Sequence, residues 1–160
     1  MRRQALIGLG VLLLIGFAFF YVRALGSANN LPPRTLEPTN DRMARTLKPC
    51  PSSPNCVSTQ TDQPQKKRDP IAFSDSPQEV LQRLKRVVGN MPRTQLIEED
   101  GNYLHYTFRT WPIPYTDDVE FIIDPDERVI HYRSASRVGH SDLGVNGRRM
   151  AKVVAAMAAD

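Results

Sequence analysis

Apolar positions recur at helical spacing soon after residue 76: Val80, Leu81, Leu84, Val87 and Val88 share one face. Ser76-Pro77-Gln78-Glu79 ahead of them is a capping box with proline at the first helical position, and Gly89 with Pro92 ends the run. The period then changes to two. Residues 94–99 and 103–110 read as strands joined through Asp100-Gly101-Asn102, and residues 118–123 and 129–137 as a second hairpin turned by Asp124-Pro-Asp-Glu127. Helical spacing returns over residues 146–158, with Met150, Val153, Val154 and Met157 on one face. Consecutive hairpins flanked by helices predict an α+β two-layer sandwich, an antiparallel sheet of about four strands with two helices on one face.

The alternation also divides the sheet. Leu104, Tyr106 and Phe108, then Val119, Phe121 and Ile123, then Ile130 and Tyr132 should pack under the helices. His105, Thr107, Arg109, Glu120, His131, Arg133 and Arg137 fall on the opposite face. Antiparallel sheets commonly leave such a face in water, and that is the first expectation here. The alternative is a cover formed by the segment before Ser76, which would convert the face into a cleft. Asp117 and Asp118 could supply a general acid and base, but adjacent residues on a strand point to opposite sides, which counts against joint action unless Asp117 lies in the loop.

A different pattern occupies the N-terminus. Residues 5–22 carry no charge and follow Met-Arg-Arg-Gln. As a helix they would extend about 27 Å, close to the roughly 30 Å hydrocarbon layer of a bilayer. The stretch exceeds the apolar region of a signal peptide, about 7–15 residues, so a retained transmembrane helix is expected, although Gly26-Ser-Ala28 would serve as a cleavage site. Phe17, Phe19, Phe20 and Tyr21 gather at one end as an interfacial belt would. Arg2 and Arg3 favour a cytoplasmic start, with the remainder of the chain extracytoplasmic at the inner membrane; Arg23, Arg34 and Arg42 on the far side narrow that margin.

Nine of the 13 prolines lie between residues 31 and 77, which argues against regular structure there. The chain accordingly divides into an anchor (1–28), a flexible tether (29–46) and a globular domain (47–160), with residues 48–76 expected as a strap on that domain, Ile71-Ala-Phe73 forming a short strand. Cys50 and Cys56 are the only cysteines and sit in a proline-bounded loop. In an oxidising compartment a structural disulfide is expected; two independent thiols or redox chemistry are the other readings.

Charge narrows the partners. The chain carries 21 basic and 17 acidic residues, but three arginines and no acid lie within residues 1–28, which leaves the rest nearly neutral. A near-neutral domain lacks the positive face that nucleic-acid binding demands, so no nucleic acid is expected. Lys66-Lys67-Arg68 is expected to be a solvated basic run.

Three motifs remain: Cys50-Pro-Ser-Ser-Pro-Asn-Cys-Val-Ser58, Asp117-Asp-Val-Glu-Phe121 and Arg133-Ser-Ala-Ser-Arg-Val-Gly-His-Ser-Asp-Leu-Gly-Val-Asn146. In this order they resemble the bacterial and plastid family catalogued as domain of unknown function 1499, over roughly residue 47 to the C-terminus. The resemblance implies a fold and a habitat, not a reaction. Gly147 departs from it, standing where the family usually has a basic residue.

The third motif supplies the candidate ligand-binding residues: Arg133, Ser134, Ser136, Arg137, Ser141, Asp142 and Asn146. Forked guanidinium donors suit a carboxylate or phosphate, and hydroxyls and amides suit its polar surroundings. Asp142 is expected to orient the helix start at Asn146 while pairing with Arg137 or Arg133. No nucleophile elbow accompanies the serines, so no catalytic residue, metal or cofactor is assigned. The resulting expectation is a membrane-anchored extracytoplasmic domain that binds an anionic small molecule, a lipid headgroup or an envelope protein. The alternative is a hydrolase-like or metal-assisted enzyme of the envelope, in which His105, His131 and Glu120 would be the metal candidates.

Overall fold

The computed structural model describes residues 2–29 and 46–159, with side chains of the first segment described from residue 10 to residue 26. Most of the expected tether therefore lies outside the described residues. Helix α1 covers Arg2–Asn29, followed by strands β1 (Cys56–Ser58) and β2 (Ile71–Ala72). Helix α2 (Pro77–Gly89) then leads into β3 (Thr94–Asp100), β4 (Tyr103–Arg109), β5 (Thr116–Asp124) and β6 (Val129–Ser136), and α3 (Val145–Ala159) closes the chain.

The local signals operate as read. The Ser76 hydroxyl accepts from the Glu79 N–H, while the Glu79 carboxylate accepts from the Ser76 N–H at 3.0 Å, so the two groups close the start of α2 reciprocally. The hydrogen bonds from Ser76 hold the Glu79 carboxyl below its ordinary pKa. Both hairpins form. The second turns with Arg128 at φ 56°, while Asp124 Oδ1 accepts the N–H groups of Asp126 and Glu127.

The sheet has six antiparallel strands where about four were expected. Its order is β1-β6-β5-β4-β3, and β2 also pairs with β6. Both additional strands come from the proline-rich strap. Cys56–Ser58 pairs with residues 133–135 and Ile71–Ala72 with residues 129–130, so the strap completes the outer edge of β6 in two short pieces.

Helices α2 and α3 pack on one face. Val80, Leu84, Val88, Met150, Val153 and Met157 meet Leu104, Tyr106, Phe108, Val119, Phe121, Ile123, Ile130 and Tyr132 in a single buried cluster. Burying these side chains, at roughly 1.5–3 kcal/mol each, is the main force holding the two layers together.

The opposite face is not left in water. Leu47 packs on Tyr103 and Ile122, and Cys50 with Cys56 packs on Ala135. Cys50 and Cys56 are joined by a disulfide, as expected. Gln60 accepts the Leu47 N–H at 2.8 Å, Gln63 donates to the Cys50 carbonyl at 2.9 Å, and Lys66 donates to the Pro51 carbonyl. Lys66 is thus buried and structural, a correction to the solvated run expected of residues 66–68. Helix α1 also approaches β5, and Ala24 is fully buried. Among the described residues, no helix is long and apolar enough to cross a membrane. The side chains at positions 5–9 of the expected span lie outside the described set.

Candidate functional site

Covering the polar face forces its charges to find partners, because an unpaired buried charge is far costlier than a paired one. Asp118 on β5 receives three bonds: His105 Nε2 at 2.8 Å, Arg137 Nε at 2.9 Å and Arg137 Nη2 at 2.9 Å. Burial alone would raise the Asp118 carboxyl, but the bonds from His105 and Arg137 outweigh it and hold the pKa below its ordinary value. Next along the strand, Glu120 is fully buried and accepts from Tyr103 at 3.0 Å and from Arg133 Nη1 at 3.0 Å. Here burial prevails. It pushes the Glu120 carboxyl upward despite the Arg133 charge and the Tyr103 hydrogen bond. Arg137 and the Nη1 of Arg133 are therefore directed at carboxylates of the chain itself, while Arg133 Nε is buried without a hydrogen-bond partner among the described residues.

Asp117 turns to the helical side, as strand alternation requires. Its Oδ2 accepts from Arg149 Nη2 at 2.6 Å, and the Arg149 guanidinium lies over the Phe108 ring, 4.7 Å from the centroid. Arg149 Nη1 also donates to Ser134 Oγ and Asn146 Oδ1, at 3.1 and 2.6 Å. Asn146 is the hub of this cluster. Its Oδ1 accepts from Ser134 as well, at 2.6 Å, and its Nδ2 donates to the Asn55 carbonyl and to Ser136 Oγ, each at 3.1 Å. An amide has two donors and two acceptor positions, and Asn146 uses all four. Asn55 in turn donates to the Gly139 carbonyl at 2.7 Å. The first and third motifs are thereby tied together at the β6–α3 junction.

Asp142 orients the helix start. Oδ2 accepts the Asn146 N–H at 2.7 Å and Oδ1 the Gly144 N–H at 3.0 Å. The partnership expected with Arg137 or Arg133 does not form, because Asp118 and Glu120 stand closer on the neighbouring strand. Leu143 and Gly144 both adopt positive φ, 52° and 77°, which brings residue 145 round onto the helix axis.

Beyond this junction lies a cleft of about 420 Å³ between the β4–β5 loop and the β6–α3 loop. Its apolar walls come from Phe20, Trp111, Pro112, Ile113, Tyr115, Val138, Leu143 and Val145. Thr110, Ser136, Ser141, Asp117 and Asp142 supply the polar lining, and Gly139 completes the wall. Of the residues expected to bind ligand, Ser136, Ser141 and Asp142 reach this cleft. Ser134 and Asn146 lie in the junction behind it, and Arg133 and Arg137 are engaged on the other face.

Sequence reasoning missed Asp117, Arg149 and Asn55 in the junction, and the 110–115 loop altogether. The available signal was Trp111-Pro-Ile-Pro-Tyr115, where two prolines hold a short loop that carries three large apolar side chains. His105, Glu120 and His131 do not form a metal set: His105 pairs with Asp118, Glu120 with Arg133, and His131 Nδ1 with Thr59 Oγ1 at 3.1 Å. A different trio, Asp124, Glu127 and His131, brings its ligand atoms within 4.8 Å of one another at the second hairpin turn. Glu127 there is exposed, and Asp124 already accepts two backbone N–H groups of the turn. Gly147, where a basic residue was anticipated, faces Arg68: an added Cβ would stand 3.7 Å from its guanidinium nitrogen.

A family model described as a protein of unknown function (DUF1499) matches residues 46–157, which spans both faces of the sheet, the junction and most of the cleft lining. No curated protein and no solved structure matches the chain.

Proposed function

The chain belongs to the DUF1499 family, and for this member we propose a membrane-tethered, extracytoplasmic binding domain that receives an amphipathic, lipid-like ligand in the cleft beside α3. The observation that carries this reading is the cleft itself. Its walls are mainly apolar, hydroxyls and carboxylates from both bordering loops and from β5 and β6 interrupt them, and its volume suits a small molecule or the end of a lipid. Asp117 and Asp142 contribute oxygens already engaged by Arg149 and by backbone N–H groups, so these polar groups are preorganised rather than reactive.

The tether rests on the uncharged stretch at residues 5–22 and on the surface of α1. Leu12, Leu13, Leu14, Ile15, Phe19 and Val22 are all more than half exposed, and so extensive an apolar surface calls for lipid or a partner to cover it. The disulfide is compatible with an oxidising, extracytoplasmic side. An envelope enzyme is the weaker reading, because His105, Asp118 and Glu120 are closed into ion pairs and hydrogen bonds with their neighbours.

Native mass spectrometry of the full chain, purified from membranes in mild detergent, tests the binding reading. An amphipathic species should accompany the wild-type protein and be lost from Val138→Trp, which fills the cleft. Wild-type protein that carries no such species, and acquires none from a lipid extract, would remove the proposal.

A further inference from the structure

Trp111 and Leu143 are the most exposed large apolar side chains among the described residues, at 77% and 82%. They belong to different loops, 110–115 and 137–144, yet both border the same cleft. Phe20 borders it too, so the aromatic end of α1 reaches the same place.

Leu143 is exposed at a cost. A non-glycine residue at φ 52° occupies the left-handed region, which side chains with a Cβ disfavour. Four hydrogen bonds hold it there. Its N–H donates to Ser141 Oγ at 3.2 Å, and its carbonyl accepts from Arg148 Nη1 at 2.9 Å. Asp142 fixes the following residues through Gly144 and Asn146. The result is a bulky apolar group presented to water, which does nothing for the core. Strained backbone supported on all sides points to a role outside folding.

We propose that Trp111 and Leu143 form a docking tip that inserts into the interfacial layer of the bilayer from which α1 emerges, so that the cleft opens directly onto lipid. The inference rests on the tether reading above. Continuity argues for a bilayer as the occupant, because the exposed apolar surface of α1 runs through Phe17, Phe19 and Phe20 to the cleft wall that the tip completes. Tryptophan is the side chain best suited to this depth, with an apolar ring and one N–H to leave in the headgroups. Charge agrees as well. Arg148 sits against Leu143, Arg109 precedes the Trp111 loop and Arg23 follows the apolar stretch; all three are exposed and suit an anionic lipid surface.

Trp111 is the only tryptophan in the chain, so its fluorescence reports this one position. The full chain is reconstituted into phosphatidylglycerol–phosphatidylcholine liposomes, and incorporation is checked by flotation. Docking predicts blue-shifted emission, quenching by lipids brominated high in the acyl chain, and protection from acrylamide, all unchanged when the protein-to-lipid ratio is lowered. Leu143→Ser, which keeps the tryptophan, should weaken the brominated-lipid quenching. Protein that floats with the liposomes but shows red, acrylamide-accessible emission overturns the docking and leaves the tether standing. Protection that disappears on dilution into excess lipid assigns the tip to a second copy of the chain and likewise overturns it. Failure to float overturns the tether and the docking with it.

Discussion

Replacing Asp117 with alanine tests whether the β5–α3 junction is held by a buried charge pair. Asp117 is 1% exposed and Arg149 8%, so the substitution strands a largely buried guanidinium. Removing one partner of a buried pair typically costs about 3–5 kcal/mol. Ser134 Oγ, Asn146 Oδ1 and the Phe108 ring remain around Arg149 and should keep the loss near the lower end of that range. For a domain of this size each kcal/mol moves the midpoint by roughly 4 °C or more, so Tm should fall by about 12 °C. Thermal unfolding followed by far-ultraviolet circular dichroism measures this without relying on Trp111. The Asp117→Ala/Arg149→Met double variant removes both charges and should cost less than the sum of the single changes by about 1 kcal/mol or more. Additive losses, or a shift of only a degree or two for Asp117→Ala, would refute the argument that this pair governs the junction.

Two further outcomes follow from the other face. The Cys50–Cys56 disulfide closes a short loop, and loop-closure entropy assigns it about 2 kcal/mol, so Cys56→Ser should lower the denaturation midpoint in urea with little change in slope; unchanged stability would show that the strap is held by packing alone. Asp118, whose pKa is depressed, stabilises the fold above its unfolded value near 3.9 and loses that contribution as the pH falls through the lower folded value. Glu120, whose pKa is raised, acts in the opposite sense: it favours the fold at low pH and costs stability as the pH rises through its folded value. Asp118→Asn should therefore destabilise at pH 7 and flatten the acid limb of a stability–pH curve, while Glu120→Gln should cost less at pH 7 than Asp118→Asn. The reverse order would show that the two carboxylates have been assigned the wrong signs.

How far the sequence could be read depended on the range of the interaction. The capping box at Ser76, the apolar face of α3 and both hairpin turns are local, and each appears within a residue or two of its expected place. The division of side chains between the two faces also holds, down to Asp117 and Asp118 pointing apart. Strand β1 was hidden because three residues carry almost no periodicity, and the short strand expected at residues 71–73 could not be joined to the sheet, because the pairing of both depends on β6 offering a free edge. The partners of Arg133 and Arg137 were illegible for a related reason. Asp142 is near in sequence, whereas Asp118 and Glu120 become neighbours only once the β5–β6 register is set. The cleft was hardest to see, since it lies between two loops whose side chains have no repeating pattern and whose meeting depends on the whole sheet.

The disulfide has a mechanical consequence. Apart from the contact of α1 with β5, tension in the chain leading into residue 46 reaches the domain at residues 46–50, and Cys50 passes that load across the sulfur bridge into Cys56 at the head of β1. The intervening residues 51–55, including the Asn55 that ties the strap to Asn146, then carry no tension. Force enters instead through β1 and its ladder with β6, whose other edge is backed by β5 along its whole length. The sulfur bridge thus acts as strain relief, shielding the loop that steadies the β6–α3 junction from whatever motion the N-terminal segment transmits.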